Sequence, residues 1–372
     1  MDLKYRFAKS KTKFLKYIKI IDWIGYKFHF PRKFHKIDDF NSITVVQLGH
    51  LGDFLLTLPF LYEIKNSFSK KELKIAVLPE NYELAKEFDF IDEVIQIREP
   101  NFSRSYTKSY INTALDYKKI KSDLVFEVRG DLRILIFLKL FSNFKYLIGY
   151  KEGGFGFLLD YYLEYPFFKH ISQTYFKFIE VLTNEQYTIK KINLPYKAVQ
   201  NIPSNYIIIN ISSGAKSRNW DLQNFIKLAE MIAEKYDINI IFLGILKDGD
   251  FYNFSTLLEG NKYRNLMYNY VNKTSLLEAF YLIKESRFFI GLESGLTHAA
   301  TFFDKDILAL YSDMTYLEVW KPYQFNNKIH IIKKSVDCGY CGDLNCIDNK
   351  CMKLITVEEV FEEFEKMYKE IK

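Results

Sequence analysis

The feature that most limits what this chain can fold into is a repeated alternation of short apolar runs with longer amphipathic ones. Runs of four to six aliphatic and β-branched residues stand at 43–48 (ITVVQL), 73–78 (LKIAVL), 93–97 (EVIQI), 123–128 (DLVFEV) and 146–149 (YLIG). Short runs of this kind read as buried strands. Helical patterns lie between them at 54–68 and 132–142. Residues 184–205, with Pro195 and Pro203, show no strong periodicity and read as an interdomain linker. A second series follows, with strands expected at 206–211, 238–243, 287–290 and 307–311 and helices at 222–235 and 276–285. The chain closes on an amphipathic helix at 357–371. Strands that alternate with helices form parallel α/β sheets, and 372 residues exceed what one core usually takes. The expectation is an α/β protein of two Rossmann-like domains facing each other across a cleft, at 41–190 and 200–355. An extension at 1–40 precedes them, and a terminal helix at 356–372 follows.

The charge is unevenly placed. The chain carries a net +6, but residues 1–40 hold eleven Lys/Arg against four Asp, a net +7, which leaves 6 − 7 = −1 for the rest. The globular body therefore shows no sign of nucleic-acid binding. Residues 4–30 interleave Lys/Arg with Phe, Tyr, Leu, Ile and Trp23 at helical spacing. Two readings fit: a basic amphipathic helix on an anionic membrane surface, or a helix packed on the body with its lysines reaching to water. No run approaches the roughly 18 apolar residues of a membrane-spanning helix. The N-terminal stretch lacks the apolar core and small-residue cleavage site of a secretory signal. All four cysteines fall between 338 and 351, so the rest has no disulfide framework. The expected location is the cytoplasm, with peripheral attachment to the inner face of the membrane.

Three turns carry chemistry-bearing residues. Gly49-His50-Leu51-Gly52-Asp53 follows the first strand. Gly49 and Gly52 allow close approach to the backbone, and Asp53 at a strand's carboxyl end suits either a general base or a helix cap. Ser212, Ser213, Gly214, Lys216 and Arg218 follow the strand at 206–211 and suit a phosphate-binding turn, or a solvated loop. Glu293, Ser294, Gly295, Leu296 and His298 follow the strand at 287–290. Backbone N–H groups of Ser294, Gly295 and Leu296 at a helix start form an anion site for a diphosphate. The alternatives are a plain N-cap for Ser294 and a buried, satisfied ring for His298. Asp248 or Asp250, after the strand at 238–243, are candidates to touch a ribose.

Taken together, the turns resemble glycosyltransferase family nine, the ADP-heptose:lipopolysaccharide heptosyltransferases. The matching segments are GDFLLTLP at 52–59, DLVFEVRGDLR at 123–133, the small-residue turn leading to Trp220, and ESGLTHAA at 293–300, and the resemblance covers about residues 43–365. It implies a GT-B fold and an inverting, metal-independent transfer of a heptose-like sugar. The donor would be a nucleotide-diphosphate sugar of the ADP-heptose kind, and the acceptor a lipid-linked glycan of the lipopolysaccharide core or a related surface glycan. Asp53 aligns with the family's base. Ser212, Ser213, Lys216, Arg218, Glu293, Ser294, Gly295, Leu296 and His298 align with its donor site. Two departures fall in that site: Arg218 stands where the family has Lys, and Glu293-Ser294 where it has Asp-Thr. The rival readings are a GT-B-fold nucleotide-sugar epimerase and a non-catalytic nucleotide- or zinc-dependent interaction protein.

Cys338, Cys341, Cys346 and Cys351 are spaced C-x2-C-x4-C-x4-C. Four thiolates so close in a reducing compartment suit a structural Zn²⁺, with disulfides and free thiols as the other outcomes. No cofactor is expected for catalysis itself.

Overall fold

The computed structural model describes residues 12–98 and 106–371. It divides into two compact units, Met1–Lys190 and Lys191–Lys372. Each is built on a parallel sheet with interleaved helices. In the first unit the strands are β1 (Arg32–Lys33), β2 (Ser42–Gln47), β3 (Glu72–Val77), β4 (Glu93–Gln96), β5 (Lys121–Glu127), β6 (Asn143–Tyr150) and β7 (Tyr161–Leu163), in the order β1-β7-β6-β5-β2-β3-β4. In the second they are β8 (Tyr206–Asn210), β9 (Asn239–Leu243), β10 (Met267–Asn269), β11 (Phe289–Leu292), β12 (Ile307–Tyr311) and β13 (Ile329–Lys333), in the order β10-β9-β8-β11-β12-β13. Every neighbouring pair is parallel.

The apolar runs are continuous because both faces of each sheet are covered. All five residues of β8 are buried. Ile207 and Ile209 join one core with Trp220, Phe225, Val360 and Phe364, while Tyr206 and Ile208 join another with Leu282, Ile283 and Ala300. The terminal helix Val357–Ile371 closes the first of these, its Phe364 edge-on to Tyr236 at 5.8 Å. In the first unit, Val46, Ala76, Val125 and Leu147 pack on Leu135 and Leu138. Phe126 reaches the opposite side, 5.0 Å from Phe178 of the helix Ile171–Thr183.

Several elements differ from the sequence-based expectation. The first crossover helix spans Leu51–Ser67, not 54–68, so Gly52 and Asp53 sit inside its first turn. Pro59 lies within this helix and removes one backbone donor. The Ser172 hydroxyl donates to the nearby carbonyl of Leu56 at 2.9 Å. β11 runs two residues later than expected, taking Gly291 and Leu292 into the strand. Asp248 and Asp250 occupy the first turn of the helix Asp248–Glu259. Residues 184–205 hold no helix or strand. The short strands β1, β7, β10 and β13 and the helix Ile171–Thr183 carried no sequence signal strong enough to be read. Two- and three-residue strands are recruited by the sheet edge rather than by their own pattern.

Of the basic extension, residues 1–11 lie outside the described residues. The remainder is built into the first unit: β1 pairs with β7, and the helix Thr12–Phe28 packs on the turn at 156–158. Among the described residues no helix is long and apolar enough to cross a membrane.

Two glycines let the loop after β5 touch the loop after β6. Gly130 has φ of 69°, and a Cβ on Gly153 would fall 2.0 Å from the Gly130 carbonyl oxygen. Backbone cannot yield as a side chain can, so Gly153→Ala is expected to cost about 1–3 kcal/mol. The change reads as a lower urea midpoint at unchanged slope; an unmoved midpoint would show that the two loops are not held together.

Candidate active site

In each sheet the strand order reverses once. β2 continues to β3 and β4 on one side and meets β5 on the other; β8 continues to β9 and β10 on one side and meets β11 on the other. At such a switch point the crossovers on either side leave in opposite directions, opening a crevice at the carboxyl ends of the strands, where open α/β sheets bind ligands. The turns read from the sequence fall there: Gly49–Asp53 after β2, Ser212–Arg218 after β8, and Glu293–His298 after β11.

In the first unit, Asp53 is the third residue of its helix, and its Oδ2 accepts the His50 backbone N–H at 3.2 Å. The cap and the exposed carboxylate are therefore one group. Arg129, immediately beyond β5, places Nη1 3.7 Å from the same oxygen, with the two side chains 18% and 20% exposed. Gly49 is needed beneath them: a Cβ there would lie 2.1 Å from Arg129 Nη1 and 2.4 Å from Asp53 Cβ. The buried Asn81 amide donates to the Gly49 carbonyl at 2.9 Å and fixes the turn. Thr57 Oγ1 donates to Asp53 O and accepts from the buried Gln47 amide, which also donates to the Tyr175 hydroxyl. Burial, then the Asp53 carboxylate, raises the Tyr175 phenol above its ordinary range. His50 Nδ1 lies 2.8 Å from Glu80 Oε1, and this bond raises the imidazole pKa.

The Arg129 turn is set by Glu127, a carboxylate with no exposed surface. Its two oxygens accept the backbone N–H groups of Arg129 and Gly130 at 3.1 and 2.8 Å. Burial, then Asp131, pushes the Glu127 pKa up from 4.5 to about 8, against the pull of those N–H bonds and of Arg129. Burial alone would lower the Arg129 pKa; Asp53 and other anions raise it.

In the second unit, Asn210 ends β8 fully buried. Its amide donates to Ser294 Oγ at 2.9 Å and to the Ser212 carbonyl at 3.1 Å, joining the two turns. Ser212 Oγ accepts the Ile245 N–H at 2.8 Å, over Gly244. Ser213 Oγ donates to Asn219 Oδ1 at 2.8 Å, closing the turn on itself. Ser294 caps the helix Gly295–Phe302, and its hydroxyl engages Asn210 and Thr297 Oγ1 rather than the helix's own N–H groups. Arg218 Nη2 pairs with Glu293 Oε1 at 3.3 Å; Glu293 is buried, and its pKa is raised by burial against the pull of Arg218 and Lys333. Lys216 points to solvent, Trp220 is a core residue whose indole N–H donates to Ile355 O at 2.9 Å, and His298 is buried. Asn210 Oδ1 and Arg218 Nε are buried without a hydrogen-bond partner.

Cys338, Cys341, Cys346 and Cys351 are unbridged, the first two exposed and the others half-buried. Among the described residues no group of three or more His, Cys, Asp or Glu is gathered as a metal ion would need. Spacing sets only how far apart thiols can be along the chain; the loop path decides where they point. The sequence reading did not assign Gln47, Glu127, Arg129, Tyr175 or Asn210 to the site. Glu127 and Asn210 carry the one usable signal, a polar residue closing an otherwise apolar strand.

Two parallel α/β units, each with polar turns at its switch point, have the Rossmann-like architecture of the GT-B fold. Residues 170–351 match the family model of Glycosyltransferase family 9 (heptosyltransferase). Among solved structures, the chain is similar to the family 9 glycosyl transferase from Veillonella parvula, with a TM-score of 0.73, 17% identity and coverage of 91% of this chain and 100% of that one. It is also similar to Escherichia coli heptosyltransferase WaaC with ADP (TM-score 0.66, 14% identity, covering 87% and 99%). E. coli ADP-heptose lps heptosyltransferase II gives 0.66, 14%, 88% and 99%. No curated protein matches the chain in sequence. Family and fold together support a glycosyltransferase of the heptosyltransferase type.

Glu127 has a signature in pH. Below pH 4.5 it is neutral in the folded and unfolded chains alike; between 4.5 and about 8 only the unfolded chain ionises it, so its contribution to stability is lost as pH rises through that window. Glu127→Gln stays neutral throughout. Wild-type stability relative to Glu127→Gln is expected to fall as pH rises from 4.5 to 8. Unfolding curves that stay parallel across this range would mean the carboxyl ionises freely.

Proposed function

We propose that the chain is an inverting glycosyltransferase that moves a heptose-like sugar from a nucleotide-diphosphate donor to a lipid-linked glycan of the lipopolysaccharide core or a related surface glycan. The first unit takes the acceptor and the second the donor. The carrying observation is the Asp53 carboxylate, held at the carboxyl edge of the first sheet by the His50 N–H and Arg129 while still reachable from solvent. Asp53 accepts the proton of the acceptor hydroxyl as that oxygen attacks the anomeric carbon from the face opposite the diphosphate. The diphosphate leaves with its charge met by the first-turn N–H groups at Ser294, Gly295 and Leu296 and by Arg218, with Lys216 in reserve. Donors fixed in advance at the place where charge develops are often the largest electrostatic contribution to such a step. A diphosphate is a good leaving group, so neither a second carboxylate nor a catalytic metal is required.

The nucleotide is proposed to be adenosine diphosphate, since the similar WaaC structures hold ADP and ADP-2-deoxy-2-fluoro heptose. A lipid-linked acceptor places the enzyme at the inner face of the cytoplasmic membrane.

Asp53→Asn isolates the chemistry, because an Asn carbonyl can still accept the His50 N–H and keep the helix start. Transfer is expected to fall about 10²–10⁴-fold. The thermal shift on adding ADP at 100 times its Kd, about 2.7 kcal/mol of native stabilisation, should be retained. Retained transfer in Asp53→Asn would remove Asp53 as the base; loss of the ADP shift in wild type would remove the donor assignment.

A further inference from the structure

The helix Thr12–Phe28 has two apolar faces, and among the described residues only one is packed. On the inner face, Leu15 and Ile18 pack with Leu132, Phe155 and Phe157. The buried Asp22 carboxylate accepts the Phe155 N–H at 2.9 Å. Gly25 lies so close to the Phe157 ring that a Cβ would fall 2.4 Å from it. This face is fixed to the body.

On the opposite face Tyr17, Ile20, Ile21, Ile24 and Phe28 form a single stripe, all exposed, from 42% at Ile24 to 87% at Phe28. At 3.6 residues per turn these five fall within about 100° of the helix circumference. Trp23 flanks the stripe, also exposed, with Lys27 Nζ 3.7 Å from its ring centroid. Lys16, Lys19 and Lys27 stand exposed on the same flank.

We infer that this outer face is a foot that inserts into an anionic phospholipid surface. The inference rests on the membrane setting proposed above and names the face and the lipid. An apolar stripe bordered by lysines and a tryptophan matches the layering of a bilayer interface, where indole rings sit at headgroup level and lysines meet anionic lipid. The charge argues for lipid over a second copy of the chain: residues 1–40 carry +7, and a two-fold contact would set that charge against its twin.

The docking of the inner face adds a consequence. The loop beneath the helix, residues 151–158, leaves the carboxyl end of β6 and touches Gly130 through Gly153, one residue from Arg129. The foot therefore stands on the sheet edge that carries Asp53, within the same unit. Lipid contact and acceptor chemistry share one edge, as an acceptor anchored in that lipid needs.

The test is flotation of the full chain with vesicles of phosphatidylcholine alone and of phosphatidylcholine mixed with phosphatidylglycerol. The wild type is expected to float with the mixed vesicles and to be released by salt. Ile20→Ser/Ile24→Ser changes only exposed residues and should abolish flotation while leaving the unfolding transition unchanged. Lys16→Gln/Lys27→Gln should weaken binding to the mixed vesicles roughly 30-fold, with little effect on the neutral ones. Wild type that fails to float, or flotation unaffected by the Ile pair, overturns the inference. So does an Ile pair that converts a dimer to a monomer in light scattering without any vesicle capture. The ADP thermal shift is measured on the same preparations without lipid, so failure of the foot and failure of the transferase reading give separate signals.

Discussion

Parallel strands cannot be joined by a tight hairpin; each must return through a crossover, here mostly helical, before the next strand begins. That constraint organises both units of this protein. It covers each sheet on both faces, and it delivers every strand-to-helix turn to one edge. Where the order reverses, at β2 beside β5 and at β8 beside β11, neighbouring turns diverge and leave a crevice. The three polar turns Gly49–Asp53, Ser212–Arg218 and Glu293–His298 lie at those two places.

Holding charge at such an edge has a local cost, and the structure meets it with close backbone approach and with pairing. Gly49 leaves room for Arg129 and Asp53 to lie over the turn, and the Gly130–Gly153 contact brings two loops together where side chains would keep them apart. Glu127 gives up solvent entirely to orient the N–H groups of the Arg129 turn, and its raised pKa is the trace of that burial. In the second unit Glu293 is buried against Arg218, while Asn210 ties the two turns together through one amide. A buried ion pair of this sort is weak evidence for stability; its value here lies in fixing groups before a ligand arrives.

Two of the residues at which this chain departs from the pattern of the family it resembles meet in one contact. Arg218, where that pattern has Lys, pairs with Glu293, where it has Asp. Arg and Lys differ as phosphate partners: a planar fork against a point charge.

The sequence by itself determined the α/β class and most of the longer strands and crossover helices, because buried parallel strands need unbroken apolar runs and amphipathic helices need a 3.6-residue period. It also determined the three turns, since a Gly-containing polar segment after such a run has no place in a core. What it could not supply is anything set by contact between distant segments. Strand order, and with it the switch points, depends on which strands pair, which no local pattern encodes. The two- and three-residue strands β1, β7 and β10 exist because a neighbour offers an edge. Asp53 as both cap and partly exposed carboxylate, and Arg129 above Gly49, became visible only in three dimensions. The basic extension shows the division most plainly. Its composition allowed a lipid-facing helix or a packed one, and the tertiary structure packs one face while leaving the other exposed, because the helix lies on the surface of its unit.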